Sequence, residues 1–245
     1  NMLNSLKNVG VRLFNVSPIT AHKVFTPASA AEVNYVARPE LENNIIEEIQ
    51  TVGKQILLYG HSGSGKTTII RSIIHQLGRK YIRTHCEKAT TFNDIILDGF
   101  DNLDRYVISE KSISEMSVCV RCTRFLPPQL TPQRLAKMIG ESELVWIIED
   151  FHKVDDAEKK RIADLLKFFC DNANDYSQSK IVCIGACESA NELVALEPNL
   201  KGRVSEIHVS LLSDKDIKAI AKNGFKLLNI NAHEELIEQI VYYSA

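Results

Sequence analysis

Apolar residues along this chain follow two rhythms. In Gln55-Ile56-Leu57-Leu58-Tyr59, Leu144-Val145-Trp146-Ile147-Ile148 and Lys180-Ile181-Val182-Cys183-Ile184-Gly185 nearly every position is apolar, which predicts short strands covered on both faces. Elsewhere the apolar positions recur every three to four residues, which predicts helices with one buried face. Arg38-Pro39-Glu40 opens the first of these, with Leu41, Ile45, Ile46 and Ile49 inward and its end near Val52. The next carries Ile69, Ile70, Ile73, Ile74 and Leu77, with Gly78 as its C-cap, and residues 91–103 form a third. Thr131-Pro132 starts a fourth, with Leu135, Met138 and Ile139 inward and Gly140 as its stop. Asp155-x-x-Glu158 reads as a capping box before Ile162, Leu165, Leu166 and Phe169.

Two further strands are predicted: residues 80–86, and residues 204–211, where Ile207, Val209 and Leu211 alternate as on a sheet edge. Strands alternating with helices imply an α/β fold, a parallel sheet with helices on both faces. After a second capping box at Ser213-x-x-Asp216 the pattern is helical throughout, through Ile217, Ile220, Ala221 and Leu228 and then Leu236, Ile237, Ile240 and Val241. The organisation expected is an N-terminal strap over 1–39 with prolines at 18, 27 and 39, a core over 40–211, and a small C-terminal helical lid over 212–245. Within the core, residues 104–130 read as an inserted hairpin, with strands at 105–109 and 117–122 and Pro127-Pro128 after them.

Composition changes this picture little. A formal charge of −2 gives no global attraction to nucleic acid or an anionic membrane, and no apolar run approaches membrane-spanning length. The six cysteines sit mostly in apolar or helical contexts, as reduced thiols of a cytoplasmic protein do. Cys119-Val120-Arg121-Cys122 has zinc-ligand spacing but no second Cys/His pair beside it, so no metal is assigned there.

The chemistry lies at the junction of the first strand and second helix. Gly60-His61-Ser62-Gly63-Ser64-Gly65-Lys66-Thr67 fits G-x-x-x-x-G-K-[ST], the phosphate-binding P-loop, between a strand and a helix as the motif requires. Its glycines let backbone N–H groups wrap a triphosphate, and the following helix, through Thr68, aims its positive end at the same anion. Lys66 is expected on the β- and γ-phosphates and Thr67 on Mg²⁺. Glu149-Asp150 follows a buried strand directly. Two carboxylates there are costly unless a cation or a solvent-filled cleft receives them, and the carboxyl ends of an open α/β sheet form its ligand crevice. The expected ligands are ATP and Mg²⁺; no N-K-x-D motif specifies guanine.

Over residues 33–245 the chain resembles the AAA+ and STAND branch of P-loop ATPases, in the ASCE division. The carriers are Tyr35-Val36-Ala37-Arg38, the P-loop, residues 144–150 as Walker B, Gly185-Ala186-Cys187-Glu188, Asn199-Leu200-Lys201-Gly202-Arg203, and the helical tail. The resemblance implies a three-layer core of strand order 5-1-4-3-2. It also implies Glu149 on Mg²⁺ beside Thr67, Asp150 orienting the attacking water, and Arg203 as an arginine finger for a neighbour's γ-phosphate. The acidic pair is reversed from the usual Asp-Glu, and the shorter Asp150 implies slow turnover. Glu188 and Ser189 stand at the first-sensor position and take no firm role. A second-sensor arginine would fall just past Ala245, so the chain is expected to be a truncated ATPase module. Arg38, His61 and His152 lie near the site without a catalytic assignment.

The leading expectation is an ATP-dependent switch whose lid closure drives self-association or engages a protein partner. A DNA-handling ATPase is the first alternative, drawn from Arg105, Lys111, Arg121 and Arg124 of the hairpin. Asp101, Asp104, Glu110 and Glu115 dilute that charge. A P-loop kinase is the second.

Overall fold

The computed structural model describes residues 20–25, 33–103, 106–114, 117–124, 131–186 and 200–244. In chain order the elements are α1 (Ala21–Val24), α2 (Pro39–Gln50), β1 (Gln55–Tyr59), α3 (Lys66–Gln76), β2 (Tyr81–His85) and α4 (Phe92–Asn102). There follow β3 (Tyr106–Ser114), β4 (Ser117–Arg124), α5 (Pro132–Glu141), β5 (Val145–Glu149), a 3-10 turn Phe151–Lys153, α6 (Asp156–Asp171), β6 (Lys180–Gly185) and β7 (Val204–His208). Two helices close the chain, α7 (Asp214–Leu227) and α8 (Glu234–Ser244). They fall into two compact units, Ala37–Ser213 and Asn1–Val36 with Asp214–Ala245.

In the larger unit β1, β2, β5, β6 and β7 form one parallel sheet in the order β2-β5-β6-β1-β7. Counting these strands alone, the order is 2-3-4-1-5, the expected 5-1-4-3-2 read from the other edge. The near-continuous apolar runs are the reason: β5 and β6 sit inside the sheet and every one of their residues is buried. One face, carrying Leu57, Ile82, Trp146, Ile148, Ile181 and Cys183, joins a core with α4, α5 and α6. The alternate residues, Ile56, Leu58, Val145, Ile147, Val182 and Ile184, are equally buried but lie outside that cluster, on the face where α2 packs against β1 and α3. Trp146 is fully buried, and its indole N–H donates to Thr84 Oγ1 at 3.0 Å. A Cβ on Gly99 would stand 2.6 Å from its ring, so that glycine is where α4 meets β5.

Two capping expectations are corrected. Asp155 is the N-cap of α6 without a side-chain bond, and Glu158 does not close a box with it. Its Oε2 instead accepts from Phe92 N at 2.5 Å, serving the open N-terminus of α4, where Thr91 and Asp94 form a capping box of their own. Gly140 does not stop α5, which runs to Glu141. An added Cβ there would meet the Tyr176 ring at 2.2 Å, so this glycine answers to packing. The chain turns later, at Glu143 with φ 51°.

Residues 106–114 and 117–124 are the strands of the expected hairpin and longer than expected: β3 and β4 pair antiparallel as a separate two-stranded sheet with an irregularity at Ile108/Glu110. The side chains of Cys119 and Cys122 lie outside the described residues. Cys86 and Cys183 are buried free thiols, and burial pushes Cys86 up to about 12, which suppresses thiolate chemistry. At the opposite end of β6, the Lys180 ammonium donates to the carbonyls of Thr51 and Lys54 beyond α2. Burial pushes its pKa down to about 8.

In the smaller unit α7 and α8 pack together, and Glu234 pairs with Lys218 at 2.6 Å and Lys222 at 3.0 Å. Phe25 and Asn34, from the described stretches of this unit that precede residue 37, contact α7. Asn34 Nδ2 donates to Ile220 O, and the rings of Phe25 and Phe225 meet edge-on at 5.8 Å. Gly224 leaves the room, since a Cβ there would stand 2.2 Å from Phe25. Among the described residues no helix is long and apolar enough to cross a membrane.

Candidate functional site

β1 ends on Tyr59, and the chain must turn at once to start α3 above the sheet. Gly60, Gly63 and Gly65 take φ of 137°, 82° and 86°, values that favour glycine. Gly60 is also sterically closed, because a Cβ would stand 2.3 Å from Val209 O where the segment after β7 crosses. The loop therefore places Gly60, His61, Ser62, Gly63, Ser64, Gly65, Lys66, Thr67 and Thr68 in one arc ending on the first turn of α3. Lys66 is buried within it. Its Nζ donates to Gly60 O at 2.9 Å and His61 O at 2.6 Å, and lies 3.4 Å from Ser64 Oγ. Arg38 braces the loop from behind: its guanidinium donates to Ser64 O at 2.9 Å and Ser210 O at 2.8 Å. It meets backbone carbonyls, not a carboxylate.

Glu149 and Asp150 stand at the same end of the sheet, since Glu149 pairs with Ile184 in β6 and Tyr59 with Gly185. Strand alternation puts Glu149 on the α3 face with Ile147 and, from β2, Arg83 and His85. Glu149 is 6% exposed. Arg83 donates to its Oε2 at 2.6 Å, and that bond holds the Arg83 guanidinium above its ordinary range. Its Oε1 is buried with no hydrogen-bond partner among the described residues. Asp150 is half-buried in a left-handed conformation, φ 58°, and accepts from Lys153 at 2.5 Å, which pushes the Lys153 ammonium up. His85 lies between the two acids, 3.9 Å from Glu149 and 3.7 Å from Asp150.

Arg83, His85 and Lys153 are the residues that sequence reasoning missed. A signal existed: Tyr81, Arg83 and His85 are the polar alternates of a strand whose other face carries Ile82 and Thr84. His152 accepts the Ala186 N–H at 3.1 Å and so ties the acidic turn to the end of β6, whereas His61 is exposed and contributes its carbonyl to Lys66. Arg203 is not brought to this site. Its carbonyl accepts from Gln55 N at the start of β1, the opposite end of the sheet, and its guanidinium pairs with Asp171. The first-sensor residues Glu188 and Ser189 lie outside the described residues.

The donor set suits Mg²⁺. Among the described residues no group of three or more His, Cys, Asp or Glu could cage a metal, but Mg²⁺ binds through one or two protein oxygens with water and substrate phosphates. The orphan Oε1 of Glu149 and the Thr67 hydroxyl are oxygens of that kind.

Residues 56–211 match the family model described as ATPase family associated with various cellular activities (AAA). No curated protein matches in sequence. Among solved structures, a Walker-type ATPase of Pyrococcus abyssi superposes with a TM-score of 0.63 at 16% identity, covering 85% of this chain and 63% of its own. Cdc6p of Pyrobaculum aerophilum gives 0.55 at 16% identity, with 84% and 53% covered. The Aeropyrum pernix ORC1 protein, solved in complex with DNA, gives 0.51 at 15% identity, with 84% and 53% covered. At these identities the likeness is one of fold, and the chain spans less than two thirds of the length of each of these structures.

Proposed function

We propose that this chain, which belongs to the AAA family of ATPases, binds ATP with Mg²⁺ at Gly60–Thr68 and hydrolyses it slowly, as a molecular switch of the STAND type. The observation that carries this reading is the pairing of two half-sites at one end of the sheet. One is an anion loop with an ordered lysine; the other is a buried carboxylate with one oxygen unpartnered.

The residues divide the work as follows. Loop N–H groups and the N-terminus of α3 receive the phosphates. Lys66 exchanges its bonds to the Gly60 and His61 carbonyls for phosphate oxygens, which turns an internal tie into a substrate contact. Thr67 and Glu149 would hold Mg²⁺, which neutralises phosphate charge during transfer. Asp150 accepts from the attacking water and aligns it. Its short side chain is already engaged by Lys153, and that engagement supports slow turnover and long-lived nucleotide states. Arg203, at the far end of the sheet, can serve only a neighbouring copy, so its role as a finger requires self-association.

The proposed output is a change in the α7–α8 lid on ATP binding that drives self-association or engages a protein partner. A DNA-handling role is the second reading. It rests on the β3–β4 hairpin, a separate two-stranded sheet whose strands carry Lys111, Arg121 and Arg124 in sequence, with Arg105 preceding them in the chain. Steeply salt-dependent DNA binding that falls with Arg121→Ala and Arg124→Ala would select it. The switch reading is tested by steady-state ATP turnover with Mg²⁺: slow hydrolysis supports it, and rapid motor-like turnover contradicts it.

A further inference from the structure

At the end of the sheet away from the P-loop, a cleft of about 560 Å³ opens between the segments that enter β2, β5 and β6 and the C-terminal ends of α2 and α3. That volume lies within the roughly 300–1,000 Å³ range of small-molecule sites. Arg79 and Lys80 line it from one side, Glu143 from another and Ser177 and Gln178 from a third, while Ile49 and Leu77 supply apolar wall. One guanidinium nitrogen of Arg79, Nη2, is buried and has no hydrogen-bond partner among the described residues.

Basic residues at helix C-termini commonly serve the free carbonyls there. Lys180 does so, donating to Thr51 and Lys54. A cation recruited for that purpose alone would spend its donors on those carbonyls, and Arg79 Nη2 does not. A buried guanidinium nitrogen left unbonded costs free energy unless an acceptor reaches it. Two cations line the cleft against one carboxylate, Glu143, whose charge offsets part of the burial of the Arg79 guanidinium. Arg79 and Lys80 face the cleft with Glu143 as the acidic liner, and Arg79 stands close enough to Lys180 for its charge to weigh on that ammonium after burial itself. Glu143 holds φ 51°, a conformation that costs a non-glycine residue energy and puts its strain on the rim of this cleft.

We infer that this cleft binds the phosphate group of a small molecule, with Arg79 and Lys80 on the phosphate, Ser177 and Gln178 as polar contacts, and Ile49 and Leu77 against the organic body. The planar fork of arginine suits phosphate oxygens. The site is separate from the P-loop and does not depend on the ATPase reading.

The test is calorimetric titration of ribose 5-phosphate, and separately inorganic phosphate, into the wild-type chain, Lys66→Ala and Arg79→Gln. The expected result is a saturable site in wild type and Lys66→Ala that weakens at least tenfold in Arg79→Gln. Tighter binding of ribose 5-phosphate assigns the site to a phosphorylated metabolite, and equal binding assigns it to the free ion. Absence of saturable binding, or binding lost in Lys66→Ala and kept in Arg79→Gln, overturns the inference. If Arg79→Gln does not fold, Lys80→Ala and Glu143→Gln decide: binding should weaken in the first and tighten in the second, and unchanged affinity in both overturns it.

Discussion

Arg83 donates to Glu149 Oε2 at 2.6 Å, while the other oxygen of that carboxylate is buried with no partner among the described residues. Half of a buried anion is thus neutralised by the neighbouring strand, and the other half is the oxygen that the proposed function assigns to Mg²⁺. Removing Arg83 leaves the carboxylate with neither bond. Arg83→Ala should therefore lose about 1–3 kcal/mol of stability, and Mg-ATP should restore part of it. Urea unfolding with and without Mg-ATP checks this; an equal loss in both conditions would contradict it.

Asp150 sits at φ 58°, where Asn is tolerated and Ala is strained. Asp150→Asn should fold normally and keep ATP binding, yet lose hydrolysis by about 100-fold or more, because an amide cannot take the proton of the attacking water. Asp150→Ala should lose stability as well. Nucleotide binding, turnover and melting temperature, measured together, separate the two effects.

Two loop glycines should differ in kind. A Cβ at Gly60 meets the Val209 carbonyl at 2.3 Å, whereas at Gly63 nothing lies within 4 Å and only the φ of 82° resists. Gly60→Ala should cost about 2–4 kcal/mol through clash and strain together. Gly63→Ala should cost about 1–2 kcal/mol. Denaturant midpoints compared with wild type test the order.

Lys180 gives the pH prediction. Its folded pKa is about 8 against 10.5 for the free side chain, mainly because burial disfavours the charge. Between those values the unfolded chain binds a proton that the folded chain lacks, so stability rises with pH across that window. Wild type should gain about 1–3 kcal/mol over Lys180→Met between pH 8 and 10.5. Unfolding at a series of pH values measures it, and a flat difference would contradict it.

Much of this architecture was legible because the strongest sequence signals are local. A continuous apolar run ending in glycines marked β1 and its loop, and another ending in two carboxylates marked β5. What stayed hidden depends on through-space neighbours. Glu158 looks like the partner of Asp155 three residues away, but α6 packs against α4 and the carboxylate serves Phe92. Gly140 looks like a stop until the Tyr176 ring is seen against it. Arg83 and Glu149 are 66 residues apart in sequence, and their bond exists because β2 pairs with β5. The alternation of β2 showed that Arg83 and His85 share a face, but not what stands beside it.

In the proposed function Lys66 serves a nucleotide, even though here its ammonium binds the loop's own carbonyls. Equilibrium binding of Mg-ATP to the wild-type chain and to Lys66→Ala tests it most directly. The expected result is saturable binding by wild type and none detectable by a Lys66→Ala chain that remains folded. Normal ATP binding by Lys66→Ala would contradict it.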